Sequence, residues 1–271
     1  MFSDKVVVPI GIQSKGLEIT STLKYCEIDV IIASFQYRDF LKSVLLSYEH
    51  RIWNIGWVMY DKKIMNCVSE ELWSYIQNNV LKHYEEIDIA HNKEHIVNVI
   101  IRSLDVGNEY GMDKNIILAC SAYHDLGLLV GRENHERNSA LFFKKDQFMR
   151  TWFSNEEIEI IIEAIEDHRA ISKNRPRSIY GVVLHDVDTF GGDLSELVKR
   201  SIGYGIKYFN HYSKEQHFER IFEYLSQKYG NKGYAKMYIQ YTPHQKNLEE
   251  IKTRIRTKDE VKNIFDTYFV G

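Results

Sequence analysis

Cysteine, proline, long apolar runs and a charge excess of either sign are what this sequence has little of. Only three cysteines occur in 271 residues. Cys26, Cys67 and Cys120 stand far apart and form no C-x-x-C pair. A disulfide framework and a thiolate zinc site are thereby disfavoured, and buried free thiols of a reducing compartment are expected. No stretch reaches the ~20 uncharged apolar residues of a membrane span. Met1-Phe2-Ser3-Asp4-Lys5 leads into a short apolar run cut by Pro9, without the apolar core and cleavage site of a secretory signal. The expectation is a soluble, cytoplasmic protein. Three prolines favour long helices over a loop-rich β fold. The 35 Lys+Arg and 38 Asp+Glu leave a net charge of −3. Polyanion binders usually carry a strong basic excess, so nucleic acid is disfavoured as a partner. A small anion needs only a few local cations.

Apolar residues make up 44% of the chain, enough for a globular core and too many for a disordered chain. Residues 1–68 read as a small α+β accessory unit. Val6-Val7-Val8, Ile28–Ile32 and the aromatic-rich Arg51–Tyr60 are strand candidates, with helical spacing from Tyr37 to Tyr48. From Ser69 onward the pattern is helical. Ser69-Glu70-Glu71 suits a helix start, and a helix is expected to about His83. Glu94–Asn108 places Ile96, Val97, Ile100 and Leu104 on an apolar face, bracketed by Gly107 and Gly111. Further helices are expected from Asp113 to near Gly127, from Asn134 to Phe153, and through Val182-Val183-Leu184. S/T-x-x-E/Q boxes at Ser154, Ser213 and Thr257 mark three more starts. The division expected is 1–68, a helical metal-binding domain over 69–200, and a helical extension over 201–271.

Histidine is plentiful, with 11 in the chain. His124-Asp125 closes an apolar helix just before Leu126-Gly127. Neighbouring helical residues diverge by about 100°, so both reach one ion only near a helix end or with help from another helix. His95 on the preceding helix is placed to help. Asp188 follows the apolar run 182–184, with Asp186 as its competitor. Two imidazoles and two carboxylates form an N/O donor set that suits Mn, Fe, Ni, Co, Zn or Mg and leaves positions open. His91, one turn before His95, is expected to be an exposed residue at the helix start.

The segments Glu94-His95-Ile96-Val97-Asn98-Val99, Tyr123-His124-Asp125-Leu126-Gly127 and His185-Asp186-Val187-Asp188-Thr189-Phe190 resemble the three motifs of the HD superfamily of metal-dependent phosphohydrolases. The resemblance covers about residues 84–195 and keeps the order H…HD…D. It implies a mainly α fold, an HD-type helical bundle, with metal ligation by His95, His124, Asp125 and Asp188. His135 and His168 match positions where two-ion branches of the family supply further ligands; otherwise they serve as helix-end residues. One or two ions are thus implied.

The resemblance also implies hydrolysis of a phosphate ester or anhydride of a nucleotide or other small phosphorylated compound, through a metal-bound hydroxide oriented by Asp125. Arg169 is the first cation to consider for the developing charge, with Arg132, Arg137 and Lys145 as substrate-binding candidates and Lys144 beside them. Lys173, Arg175 and Arg177 read as a basic turn around Pro176. Tyr204, Tyr208, Phe209, Tyr212 and Phe218 read as packing of a helical extension, or as a surface for stacking a base. Two other readings accompany this one: a di-iron oxygenase of the same fold, and a non-catalytic ligand-sensing or interaction protein.

Overall fold

A computed structural model describes residues 60–269 except Lys173 and the side chain of Ile89. The expected α+β unit falls almost wholly outside the described residues, as does Cys26. Tyr60, read as the final residue of a strand, is instead helical, as are residues 61–65. Among the described residues there is no strand, and no helix is long and apolar enough to cross a membrane.

Eleven α-helices follow. They are α1 (Glu70–Tyr75), α2 (Lys93–Glu109), α3 (Lys114–Tyr123), α4 (His135–Lys145), α5 (Gln147–Trp152), α6 (Asn155–Asp167), α7 (Ile179–Phe190), α8 (Leu194–Tyr208), α9 (Lys214–Tyr229), α10 (Thr242–Arg254) and α11 (Lys258–Tyr268). After α1 the chain continues as a π turn over Ile76–Val80 and a 3-10 turn over Leu81–Glu85. Short 3-10 turns cover Ile89–His91 and Leu126–Leu129.

Helix starts follow side-chain chemistry, with two corrections. The Ser154 and Ser213 capping boxes are both formed. Thr257 makes no cap, and Glu260, its expected reciprocal partner, accepts from Arg254 Nε at 2.9 Å instead. Ser69 makes no side-chain cap either; its amide donates to Asn115 Oδ1 at 2.9 Å. The single helix expected over 134–153 is broken at Asp146, whose extended backbone and carboxylate cap α5 by accepting from Phe148 N and Met149 N. Tyr75 and Tyr123 hydroxyls donate to the same carboxylate.

α2 and α3 pack face to face, and α7 lies against α2, α3 and α6. Ile96, Val97, Ile100 and Leu104 of α2 are buried, each stabilising by about 1.5–3 kcal/mol against exposure. Gly107 lies inside α2 rather than at its end, where a Cβ would meet Ile117 Cδ1 at 2.0 Å. That contact brings α2 and α3 close enough to share one polar cluster at their other ends. α8, α9, α10 and α11 enclose a second apolar core that includes Phe190, Leu197, Ile221, Ile251 and Phe265. Phe190 closes α7, so this core fixes the end of the helix that carries Asp186 and Asp188.

Candidate metal centre

Five helices bring histidines and carboxylates to one buried point. Asn92 caps α2 by accepting from His95 N at 3.1 Å, which sets His95 in the first turn. α3 ends at Tyr123; His124 keeps helical angles and Asp125 leaves them at φ −108°, ψ 4°. That departure turns two adjacent side chains toward one place, with His124 Nε2 3.2 Å from Asp125 Oδ2. His95 Nε2 lies 3.7 Å from the same oxygen and 3.2 Å from Asp188 Oδ1, and His124 Nε2 lies 4.0 Å from Asp188 Oδ1. His135 and His168 meet the other oxygen: both Nε2 atoms are 3.5 Å from Asp125 Oδ1. His95, His124 and Asp125 form one group of potential metal donors, and Asp125, His135 and His168 form a second.

Asp186 and Asp188 differ in their partners. Asp186 is fully buried and spoken for: Oδ1 takes His185 Nδ1 at 2.8 Å, and Oδ2 accepts from Tyr238 N and Ile239 N at 2.7 Å each. It ties α7 to the chain before α10. Asp188 faces the cluster, and its side chain is the most open of the donors at 18% exposed.

The histidine rings are held from behind. His124 Nδ1 donates to Ser121 O at 2.8 Å, His168 Nδ1 to Ile165 O at 2.7 Å, and His135 Nδ1 to Arg132 O at 3.2 Å. With the proton assigned to Nδ1, each Nε2 presents a lone pair inward, the orientation a metal requires. His135 Nε2 and His168 Nε2 then face each other at 3.3 Å. His95 Nε2, His124 Nε2 and Asp188 Oδ1 are buried without a partner in hydrogen-bonding geometry. Such atoms are costly unless a cation meets them. Donors about 2.1 Å from a common ion lie roughly 3–4 Å from one another, as these atoms do. The residues fit a divalent metal.

The electrostatics agree. Burial opposes charge on Asp125, but His124 and His168 hold it well below the ordinary carboxylate range. Burial likewise opposes charge on Asp188, and His95, Arg200 and His124 outweigh it. Burial pulls His124 down, yet Asp125 and Asp188 push it up to about 9. Burial and Arg200 lower His95 to about 4, and burial and His168 lower His135 to about 4. The two carboxylates thus attract positive charge into the pocket, and a metal would supply it without protonating an imidazole donor.

The predicted cations are scattered. Arg169 follows His168, but its guanidinium donates to Glu136 Oε2 at 3.2 Å. Arg132 lies over the Tyr204 ring at 4.6 Å. Arg137 is exposed and makes no ion pair among the described residues. Lys145 lines a separate cleft of about 220 Å³ with Asn79, His83, Tyr123 and Asp146, into which no donor of the cluster opens. Lys144 is exposed beside it. Arg177 pairs with Asp167 at 3.0 Å and Glu166 at 2.7 Å, and so fastens a turn. Arg175 lies over Tyr238 at 5.8 Å. Phe218 belongs to the second core, whereas Tyr208 is 48% exposed.

His91 is not exposed as expected. Its side chain is 12% exposed, and Nδ1 lies 2.7 Å from Oδ1 of the buried Asp88. Arg200 carried no signal in the sequence. Its Nε donates to Ala90 O at 2.7 Å, and Nη1 stands 3.9 Å from Asp188 Oδ1. Only the packing of α8 on the 89–91 turn brings it there. Asp88 was findable in principle, since Asp-x-x-His is a local pairing distance.

Residues 92–192 match the family model for the HD domain. This segment is an HD domain. The match opens at the cap of α2 and closes just after α7, so it encloses every donor described above. HD domains make up a superfamily of metal-dependent phosphohydrolases. No curated protein and no solved structure matches the chain.

Proposed function

We propose that this chain is a metal-dependent phosphohydrolase with a two-ion centre, acting on a phosphate ester or anhydride of a small phosphorylated compound, foremost a nucleotide. One observation carries the reading: the two oxygens of Asp125 face opposite ways, each toward its own pair of imidazoles. His95, His124, Asp125 Oδ2 and Asp188 would hold one ion; His135, His168 and Asp125 Oδ1 would hold the other. Divalent ions in such a site lower the pKa of water toward 7 and polarise a phosphoryl oxygen.

The remaining work falls to the chain. The carbonyls of Ser121, Ile165 and Arg132 keep three imidazoles in one tautomer, so ligand geometry needs no rearrangement during reaction. Asp188, the most open donor, marks the side from which substrate approaches. Arg200, anchored on Ala90, supplies positive charge there. Arg169 stands at the other end, beside His168, with Glu136 holding its guanidinium in place.

The test is elemental analysis of purified protein, with hydrolysis of nucleotides and generic phosphoesters under Mn, Fe, Ni, Co, Zn and Mg. Two ions per chain with phosphate release are expected. Metal uptake with no hydrolysis across the panel overturns the phosphohydrolase reading. Two irons with dioxygen consumption would instead identify an oxygenase.

A further inference from the structure

Lys228 lies in the last turn of α9 and is only 9% exposed. Its ammonium lies 5.2 Å from the Tyr229 ring centroid and 5.8 Å from that of Tyr224. Among the described residues no carboxylate comes within ion-pair distance of it. Three nearby charges are matched: Arg102 by Glu196, Asp88 by His91, Asp186 by two backbone amides. A buried ammonium without a counter-ion carries an uncompensated desolvation penalty, and such departures from good local design concentrate at functional sites.

Its position is tied to the centre. Tyr229, the next residue, donates its hydroxyl to Thr189 O at 2.7 Å, and Thr189 follows Asp188. The Lys228 carbonyl accepts from Ala235 N at 3.1 Å, and the same segment reaches Asp186 through Tyr238 and Ile239. The end of α9 is thus bolted to the part of α7 that presents Asp188. The Asp188 carboxylate acts on Lys228 and also on Tyr229. Tyr234, 38% exposed, feels both Lys228 and Arg169. Arg200, on α8, stands 3.9 Å from Asp188, and Lys228, in the last turn of α9, feels the same carboxylate.

We infer that Lys228 is a substrate-binding residue that receives the anionic phosphoryl group at the Asp188 edge of the centre. The inference rests on the phosphohydrolase reading and names the residue that would orient its substrate. Lysine suits the task as a compact point charge with three donors.

The experiment uses the full chain, metal-free and metal-loaded, with inorganic phosphate as probe in calorimetric titrations. Wild type is compared with Lys228→Met, Lys228→Arg and the exposed control Lys232→Met, and bound metal is counted in each. In Lys228→Met we expect unchanged metal content, a melting temperature unchanged or raised, and phosphate affinity weakened tenfold or more. Lys228→Arg should stay within about threefold of wild type, and Lys232→Met should not differ. Unchanged phosphate affinity in Lys228→Met overturns the inference, as does a wild type that binds no phosphate in either state. If wild type takes up no metal, the two-ion reading fails, and the metal-free titrations still decide the role of Lys228. Should Lys228→Met fail to fold, Lys228→Gln gives the same readout. Collapse of both assigns Lys228 to the fold and overturns the inference.

Discussion

Gly127 is the position where a single added methyl group should separate the two halves of the centre. A Cβ there would lie 2.1 Å from His135 O, 2.5 Å from Ser139 N and 2.8 Å from Asn138 Cβ. Two of these are backbone atoms, so no rotamer change relieves them. Ordinary contact begins near 3.4 Å, and the first turn of α4 must retreat by roughly 1 Å. His135 rides on that turn, with Nε2 3.5 Å from Asp125 Oδ1 and 3.3 Å from His168 Nε2. Metal–ligand distances tolerate only about ±0.2 Å, so the second group of donors comes apart while the first, on α2, α3 and α7, is untouched. Gly127 N also donates to the buried Ser139 Oγ at 2.8 Å, a bond that the same retreat breaks. Overpacking of about 1–3 kcal/mol and a lost buried hydrogen bond of about 1–2 kcal/mol give a total of about 2–5 kcal/mol. For a chain of this size that lowers the melting temperature by roughly 5–15 °C. Elemental analysis after equilibration with Mn or Zn should count two ions in wild type and one in Gly127→Ala, and calorimetry of the metal-free proteins should show the loss of stability. Gly127→Ala protein that holds two ions and melts within about 1 °C of wild type would refute the packing argument.

Four further outcomes are expected. Asp188→Asn should lose metal from the first group and with it any hydrolysis, read by metal content and phosphate release. Asp186→Ala should keep its metal but lose about 3–5 kcal/mol in urea unfolding, because two buried amides are left unmet. Saturating metal should raise wild-type stability by about 2.7 kcal/mol at a hundred times Kd, measured as a melting shift that chelator reverses and that His124→Ala lacks. Glu196 is opposed by burial but held below its ordinary value of 4.5 by Arg102, 2.6 Å away. A depressed carboxylate stabilises fully above its unfolded value and loses that contribution as pH falls through the folded one. Each side chain is 22% exposed, so the pair lies between surface and buried cases at about 1–2 kcal/mol. The stability gap between wild type and Glu196→Gln should therefore be present at pH 7 and shrink as pH falls below 4.5; a gap independent of pH would contradict the assignment.

How much was legible in the sequence depended on the range of the interaction. The Ser154 and Ser213 boxes are satisfied within one helical turn, and both are formed. Thr257 carries the same pattern but loses Glu260 to Arg254 on the preceding helix, a competitor that no local pattern contains. The donors His95, His124, Asp125 and Asp188 could be picked out because each closes or opens an apolar helix. The separation of Asp188 from Asp186 needed the amides of Tyr238 and Ile239, about fifty residues onward. The cations fared worst. Arg132, Arg137 and Lys145 were chosen for nearness in sequence to His124-Asp125, yet a helix points its residues in all directions. Arg200 reaches Asp188 from α8, a helix held there by the second core.

The imidazoles show why two readings of one residue need not compete. His135 and His168 were weighed as helix-end groups against metal donors, and the geometry joins the two. Each spends its Nδ1 proton on a carbonyl three residues back, as a helix-end histidine does. That bond fixes the ring plane and leaves the Nε2 lone pair aimed at Asp125. His124 does the same on α3 through Ser121 O. His95 differs: it sits in the first turn of α2, where its own helix has no free carbonyl behind it, and its Nδ1 has no partner. Its orientation must come from packing and from the group it meets in front. Of the five side chains that make up the two donor groups, His95 should therefore gain the most order when metal binds.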